Sequence, residues 1–117
     1  GLPRDPEKDL TIISWNCDSL WTALPQLKIW MTKSHVLLLQ EVRVTMMELP
    51  GLRQLFRESG YHVHWGPADP RGQVLLATAW PAYLGHGQRM DHPDLGGEKA
   101  RALTTVLGTS PMLRLLN

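Results

Sequence analysis

Residues Leu10 to Glu41 read LTIISWNCDSLWTALPQLKIWMTKSHVLLLQE, and the order of their parts decides the fold. Leu10 to Asn16 is β-branched and aromatic, which favours a strand, and Asn16-Cys17-Asp18-Ser19 breaks it. Leu20, Leu24, Leu27, Trp30 and Met31 then recur every three or four residues, with Lys28 and Lys33 between them. That spacing is one apolar stripe of a helix. Pro25 is expected in its first turn, where a missing N–H costs little. His35 to Gln40, HVLLLQ, is too short for a helix and apolar on both faces, so it reads as a central strand covered on both sides. Strand, crossover helix and strand together imply a parallel pair with a right-handed connection.

Working outward, Pro50 to Ser59 predicts a second helix, with Leu52, Leu55 and Phe56 on one face and Gly60 as its stop. Tyr61-His62-Val63-His64-Trp65 alternates strictly and predicts a strand with one apolar face, leaving His62 and His64 facing solvent. Gly66 to Gly72 is turn chemistry, and Val74 to Trp80 another buried strand. Gly85 to Lys99, rich in Gly, Asp and His, is expected to be a long loop. Arg101 to Leu107 and Met112 to Leu116 close the chain as two strands across the turn Gly108 to Pro111. The order β-α-β-α-β-β-β-β gives an α/β fold with a mixed sheet. Two helices can cover one face of such a sheet, yet Val36 to Leu39 and Val74 to Trp80 are apolar on both. The second face requires another sheet, from a continuation of the chain, or a partner. Leu113 to Asn117 looks like a strand cut short, so residues 10–117 read as a fragment truncated at its C-terminus, preceded by a flexible tail over residues 1–9.

Composition narrows the function. At 117 residues the chain is one domain at most. Twelve Lys+Arg against eleven Asp+Glu, a formal charge of +1, exclude a histone-like basic tail and an acidic solvating tail. They leave room for a nucleic-acid enzyme, because a metal ion can supply the charge that a phosphate needs. At 43% hydrophobic and 20% charged, the chain has the make-up of a globular protein rather than a disordered one. One cysteine, Cys17, cannot form an internal disulfide. Apolar runs such as Val36 to Leu39 are too short to span a bilayer, and Gly1 to Asp9 has no apolar stretch, so the expected setting is intracellular, nuclear or cytoplasmic, away from membranes.

Chemistry concentrates where the two parallel strands end, at Ser14-Trp15-Asn16 and Leu39-Gln40-Glu41. The carboxyl ends of neighbouring parallel strands are where open sheets hold ligands. An Asn amide beside a Glu carboxylate suits a hard cation such as Mg²⁺, which takes one or two carboxylates and keeps water and substrate phosphate in its other positions. The plainer reading is that Glu41 is a solvated strand end and Asn16 a turn former.

The series I-x-S-W-N-C-x-S-L, V-L-L-L-Q-E-V-R, G-Y, W-G and R-G-Q-V-L-L resembles the endonuclease/exonuclease/phosphatase superfamily over almost the whole chain. That superfamily includes deoxyribonuclease I, the apurinic/apyrimidinic endonucleases, inositol polyphosphate 5-phosphatases and the endonuclease domains of LINE-type retrotransposons. Ser-Trp-Asn and Gln-Glu-x-Arg are most similar to the retrotransposon and related intracellular branches. The resemblance implies a four-layer α/β/β/α sandwich of two pseudo-symmetric halves with the site at the seam. This chain would be the N-terminal half, a mixed sheet covered by helices on one face. Glu41 then matches the metal-binding glutamate, for Mg²⁺ or Mn²⁺, and Asn16 the active-site asparagine that orients its neighbours and the phosphate. Both would be catalytic residues of a phosphodiesterase, with DNA as substrate. The family's tyrosine, Gly-Asp-x-Asn and Ser-Asp-His blocks do not occur in the chain, so it is expected to be inactive by itself. One departure is Gly72-Gln73, where the family has Gly-Gly.

Other polar residues have plainer readings. His86, Asp91, His92 and Asp94 share a polar loop but match no zinc spacing. Arg43 could reach a phosphate or pair with a neighbouring carboxylate. Cys17 reads as a small buried side chain, and Trp15, Trp21, Trp30, Trp65 and Trp80 as mostly core rather than base-stacking platforms. Met46 and Met47 read as packing residues. Two other functions compete with the endonuclease: a phosphatase of phosphoinositides or other small phosphoesters on the same fold, and a non-catalytic domain that docks a partner on its sheet.

Overall fold

A computed structural model describes residues 10–90, 104–107 and 113–117, with the backbone alone at 89–90, 104 and 106–107. The expected tail over residues 1–9, Asp91, His92, Asp94 and the turn Gly108 to Pro111 lie outside the described residues. Among the described residues, seven strands and two helices follow in the order β1 (Ile12–Asn16), α1 (Leu20–Thr32), β2 (Val36–Thr45), α2 (Leu49–Glu58), β3 (Tyr61–Trp65), β4 (Gln73–Pro81), β5 (Gly87–Met90), β6 (Thr104–Leu107) and β7 (Leu113–Leu116). Short 3₁₀ turns precede α2 and follow β4.

The strands form two sheets. The first runs β1-β2-β4-β3, with β1 and β2 parallel and the other pairs antiparallel. The second is the antiparallel trio β5-β6-β7. Successive side chains of a strand point to opposite faces, and β2 and β4 use both. Leu37, Leu39, Ala77 and Ala79 pack toward the helices with Leu27, Leu52, Phe56 and Trp65. Val36 and Trp80 pack on the other side with Leu84 and Leu115, joined by Leu38 and Leu113. The face expected to need a further sheet is therefore covered by this chain's own β5–β7. The described residues supply three successive layers: helices, four strands, three strands.

Three expectations are corrected here. Pro25 lies in the second turn of α1, not the first, because the helix already starts at Leu20. Gly85 to Lys99 is not one loop: β5 occupies Gly87–Met90 and pairs with β6, because Gly87 lets the backbone pass where a Cβ would lie 2.7 Å from the Trp80 ring. His62 and His64 do not face bulk solvent. Both rings lie on Trp80, at 5.9 and 4.8 Å between centroids, and His64 Nδ1 is 3.1 Å from Thr105 Oγ1.

The entry to α2 is fixed by Thr45 and Glu48, whose side chains and backbone cap one another, and the Trp21 indole donates to Glu48 Oε2 at 2.6 Å. These bonds, the Thr45 amide first, hold the Glu48 carboxyl below its ordinary range. No helix among the described residues is long and apolar enough to cross a membrane.

Candidate active site

The parallel register sets Asn16 opposite Gln40, and the loop after β1 stays bonded to β2: Cys17 N–H donates to the Gln40 carbonyl at 2.8 Å and Ser19 N–H to that of Glu41 at 2.9 Å. Asn16 and Glu41 thus lie at the same end of the pair, as the strand–helix–strand order implies. Glu41 does not end its strand, however. β2 continues to Thr45 through a bulge between Gln40 and Val44, where Glu41 and Arg43 adopt φ of 56° and 51°. The irregularity has a cause in the core. Leu37 and Leu39 pack under the helices, and strict alternation would next put Glu41 and Arg43 there. Across the irregularity three residues of β2, 41–43, oppose the single residue Leu75 of β4, and the strand is re-phased so that Val42 and Val44 are buried instead. Asp18 and Ser19, facing the bulge, are also left-handed, with φ of 49° and 97°. Among the described residues, four of the five non-glycine residues with positive φ lie at this one end of the sheet. Such residues cost about 1–2 kcal/mol each, and they gather where structure serves a ligand rather than stability.

The side chains form one network. Arg43 Nε and Nη2 both reach Glu41 Oε2, at 3.1 and 3.0 Å, and Nη1 reaches Asp18 Oδ1 at 3.0 Å. Of the two readings of Arg43, the structure supplies the pairing with carboxylates. The three side chains are well exposed, so their ion pairs add little stability and serve to hold two carboxylates in place. Asn16 Oδ1 accepts the Asp18 amide at 3.1 Å. Beneath them Gln40 Nε2 lies within hydrogen-bond distance of Ser14 Oγ, the Leu38 carbonyl and Asn117 Oδ1. Asn117 Nδ2 in turn contacts the carbonyls of Leu39 and Ala77, at 3.1 and 2.8 Å, and Thr78 Oγ1 at 3.3 Å. The end of β7 is thereby pinned under the site. A cavity of about 320 Å³ opens beside Gln40 and Glu41, with Leu75 and Leu76 as its apolar wall.

Asp18 and Asn117 were not singled out in the sequence. Asp18 sits in a stretch that any strand-breaking turn resembles, and nothing local marks Asn117, whose partners are some 40 to 78 residues away in the chain. Cys17 is buried, and burial pushes its thiol up to about 11, so it is protonated at neutral pH. Trp15 packs edge-to-face on Trp30 at 5.0 Å, whereas Trp21 is half exposed.

Among the described residues no three His, Cys, Asp or Glu side chains converge into an ion cage. The donors present do fit Mg²⁺, which needs only one or two carboxylates and retains waters. Arg43 bonds to Oε2 of Glu41 and not to Oε1.

No protein-family profile and no curated protein matches the chain. Two solved structures resemble it. One is an AP endonuclease from Archaeoglobus fulgidus, with a TM-score of 0.66 and 21% identity over 85% of this chain and 37% of that one. The other is the 3′ phosphatase NExo from Neisseria bound to product DNA hairpin, with a TM-score of 0.71 and 20% identity over 92% of this chain and 40% of that one. The chain spans about two-fifths of the length of these structures. Over the part that it spans, it shares the fold of these two proteins, in line with the α/β fold that the resemblance of its Ser-Trp-Asn and Leu-Gln-Glu blocks implies.

Proposed function

We propose that residues 10–117 are the N-terminal part of a Mg²⁺-dependent phosphodiester hydrolase acting on DNA, an endonuclease within an intracellular enzyme. The observation that carries this reading is that Asn16 and the strained bulge holding Glu41 lie at the same end of the parallel pair, on a fold shared with an AP endonuclease and a 3′ phosphatase bound to DNA. The neighbour bound to a DNA hairpin is a 3′ phosphatase, which keeps phosphomonoesters at DNA ends within the same reading.

A bound Mg²⁺ or Mn²⁺ would polarise a phosphoryl oxygen and offset charge on the leaving oxygen. Glu41 would hold the ion through Oε1, while Arg43 keeps the carboxylate from rotating and stays charged itself. Asn16 is oriented by the Asp18 amide on its Oδ1, so its Nδ2 hydrogens are the ones offered to a phosphate oxygen. The leucine wall excludes water from one side of the cavity. The resemblance implies that a water-activating Asp and a catalytic His come from the family's downstream blocks, which do not occur in the chain. The chain alone is therefore expected to bind the metal and not to cleave.

Paramagnetic Mn²⁺ tests both parts. Its addition should broaden the amide resonances of Asn16, Asp18 and Glu41, and the Glu41→Gln chain should lose that broadening. Equal broadening in both chains, or none, removes Glu41 from the metal and the reading with it. Plasmid nicking by the unsubstituted chain that disappears in Glu41→Gln would overturn the expected inactivity.

A further inference from the structure

We propose that the outer edge of β3 carries a second ligand site, built to take a phosphate group. Two cavities of about 300 and 290 Å³ lie along this strand and share Arg53, Val63 and His64. The first is bounded by Arg53 and Arg57 of α2, His62 and His64 of β3, Trp80 of β4 and His86. β3 ends the first sheet, two strands from the Glu41 bulge on β2, so the two sites are separated by roughly 10 Å or more at the usual strand spacing.

Three observations make the site one for an anion. Arg53 and Arg57 stand four residues apart, on one face of α2, where like charges repel unless an anion lies between them. Among the described residues neither cavity has an Asp or Glu in its lining, and the ion pairs are those of Arg43. His62 and His86 stack at 4.8 Å between ring centroids and line the same cavity as the two arginines. The second cavity adds an independent sign. Trp65 lines it and is 4% exposed, yet its buried indole Nε1–H has no acceptor among the described residues. A buried donor left without a partner is costly, and a ligand oxygen would satisfy it.

The groove thus gathers donors and positive charge. A phosphate matches it better than a carboxylate, since its three or four oxygens can engage both guanidinium forks and a ring nitrogen together. The His62 imidazole is held below its usual pKa by burial, then by His86 and by Arg57. An anion between these groups would reverse the last two effects and raise it. Binding would then tighten as the pH falls through the histidine range.

The test is an NMR titration of the full 117-residue chain with inorganic phosphate at constant ionic strength held by chloride, following the His62 and His86 ring protons and the Trp65 indole N–H. A saturable shift of all three and an upward move of the His62 titration are expected. The Arg53→Gln/Arg57→Gln chain should bind about tenfold more weakly or worse. Both arginines are exposed, so its amide spectrum should otherwise be unchanged. No saturable shift, or an equal response from the double variant, overturns the site. Competition by a short DNA strand would identify the phosphate as that of a nucleic-acid backbone, and competition by a mononucleotide alone as that of a free phosphoester. Either supports the site. Glu41→Gln should leave this binding intact, so the failure of one reading does not carry the other with it.

Discussion

The two halves of β2 obey different rules. From Val36 to Gln40 the strand is a regular ladder, parallel to β1 and antiparallel to β4, and Val36, Leu37 and Leu39 are fully buried. From Glu41 to Arg43 the register slips, two residues turn left-handed, and charged side chains alternate with a buried valine. The first half contributes stability through burial on both faces. The second half gives up regular geometry so that a carboxylate and a guanidinium stand at the rim while the core is kept continuous. One strand is therefore a regular buried ladder at one end and an irregular charged rim at the other.

Substitutions can break or sharpen that contrast. The largest effect is expected in the regular half: Leu39→Ala should destabilise the fold by about 2–5 kcal/mol, seen as a lower urea midpoint. A loss under 1 kcal/mol would show that this half is no more essential than the bulge. Next is the clasp beneath the site. Asn117→Ala strips partners from the carbonyls of Leu39 and Ala77 and from Gln40, and should cost about 1–3 kcal/mol by the same measurement. In the irregular half the sign should reverse. Glu41→Gly removes left-handed strain and an exposed ion pair, and should stabilise the chain by about 0.5–1 kcal/mol while abolishing Mn²⁺ broadening. A destabilised Glu41→Gly chain would mean that the bulge is held by its side chains and not endured for them.

The smallest effect is one of pH. Burial raises the Cys17 thiol from 9.0 to about 11. A raised acid favours the neutral form in the fold, so this contribution to stability is complete below pH 9 and is lost as the pH rises through about 11. Urea midpoints of the unsubstituted and Cys17→Ala chains should converge over that window. Iodoacetamide should likewise modify Cys17 slowly until the chain unfolds.

Much of this was legible in the sequence because it is local. The spacing of Leu20, Leu27 and Met31 marks the buried face of α1, and the alternation of Tyr61, Val63 and Trp65 that of β3. The strand–helix–strand order brings Asn16 and Glu41 to one end. What escaped reading depended on partners far along the chain. β5 is a strand because β6 pairs with it, and His62 and His64 look polar in sequence but lie on Trp80 once the second sheet closes. The bulge at Glu41 was hidden too, since VLLLQEVRVT shows a change of phase only to a reader who knows that both Leu39 and Val42 are buried on the same side.

The sequence by itself determined the elements of the first sheet, the parallel pair, and the two residues at its end, because periodicity and chain direction are properties of short segments. Only the tertiary structure decided that β5–β7 form a separate sheet over Trp80 and Leu115. The same is true of Arg43 clamping Asp18 to Glu41, and of Asn117 passing beneath them. Those arrangements depend on which surfaces remain apolar and which polar atoms remain unpaired after the local structure has formed, and that is settled only when the whole chain packs.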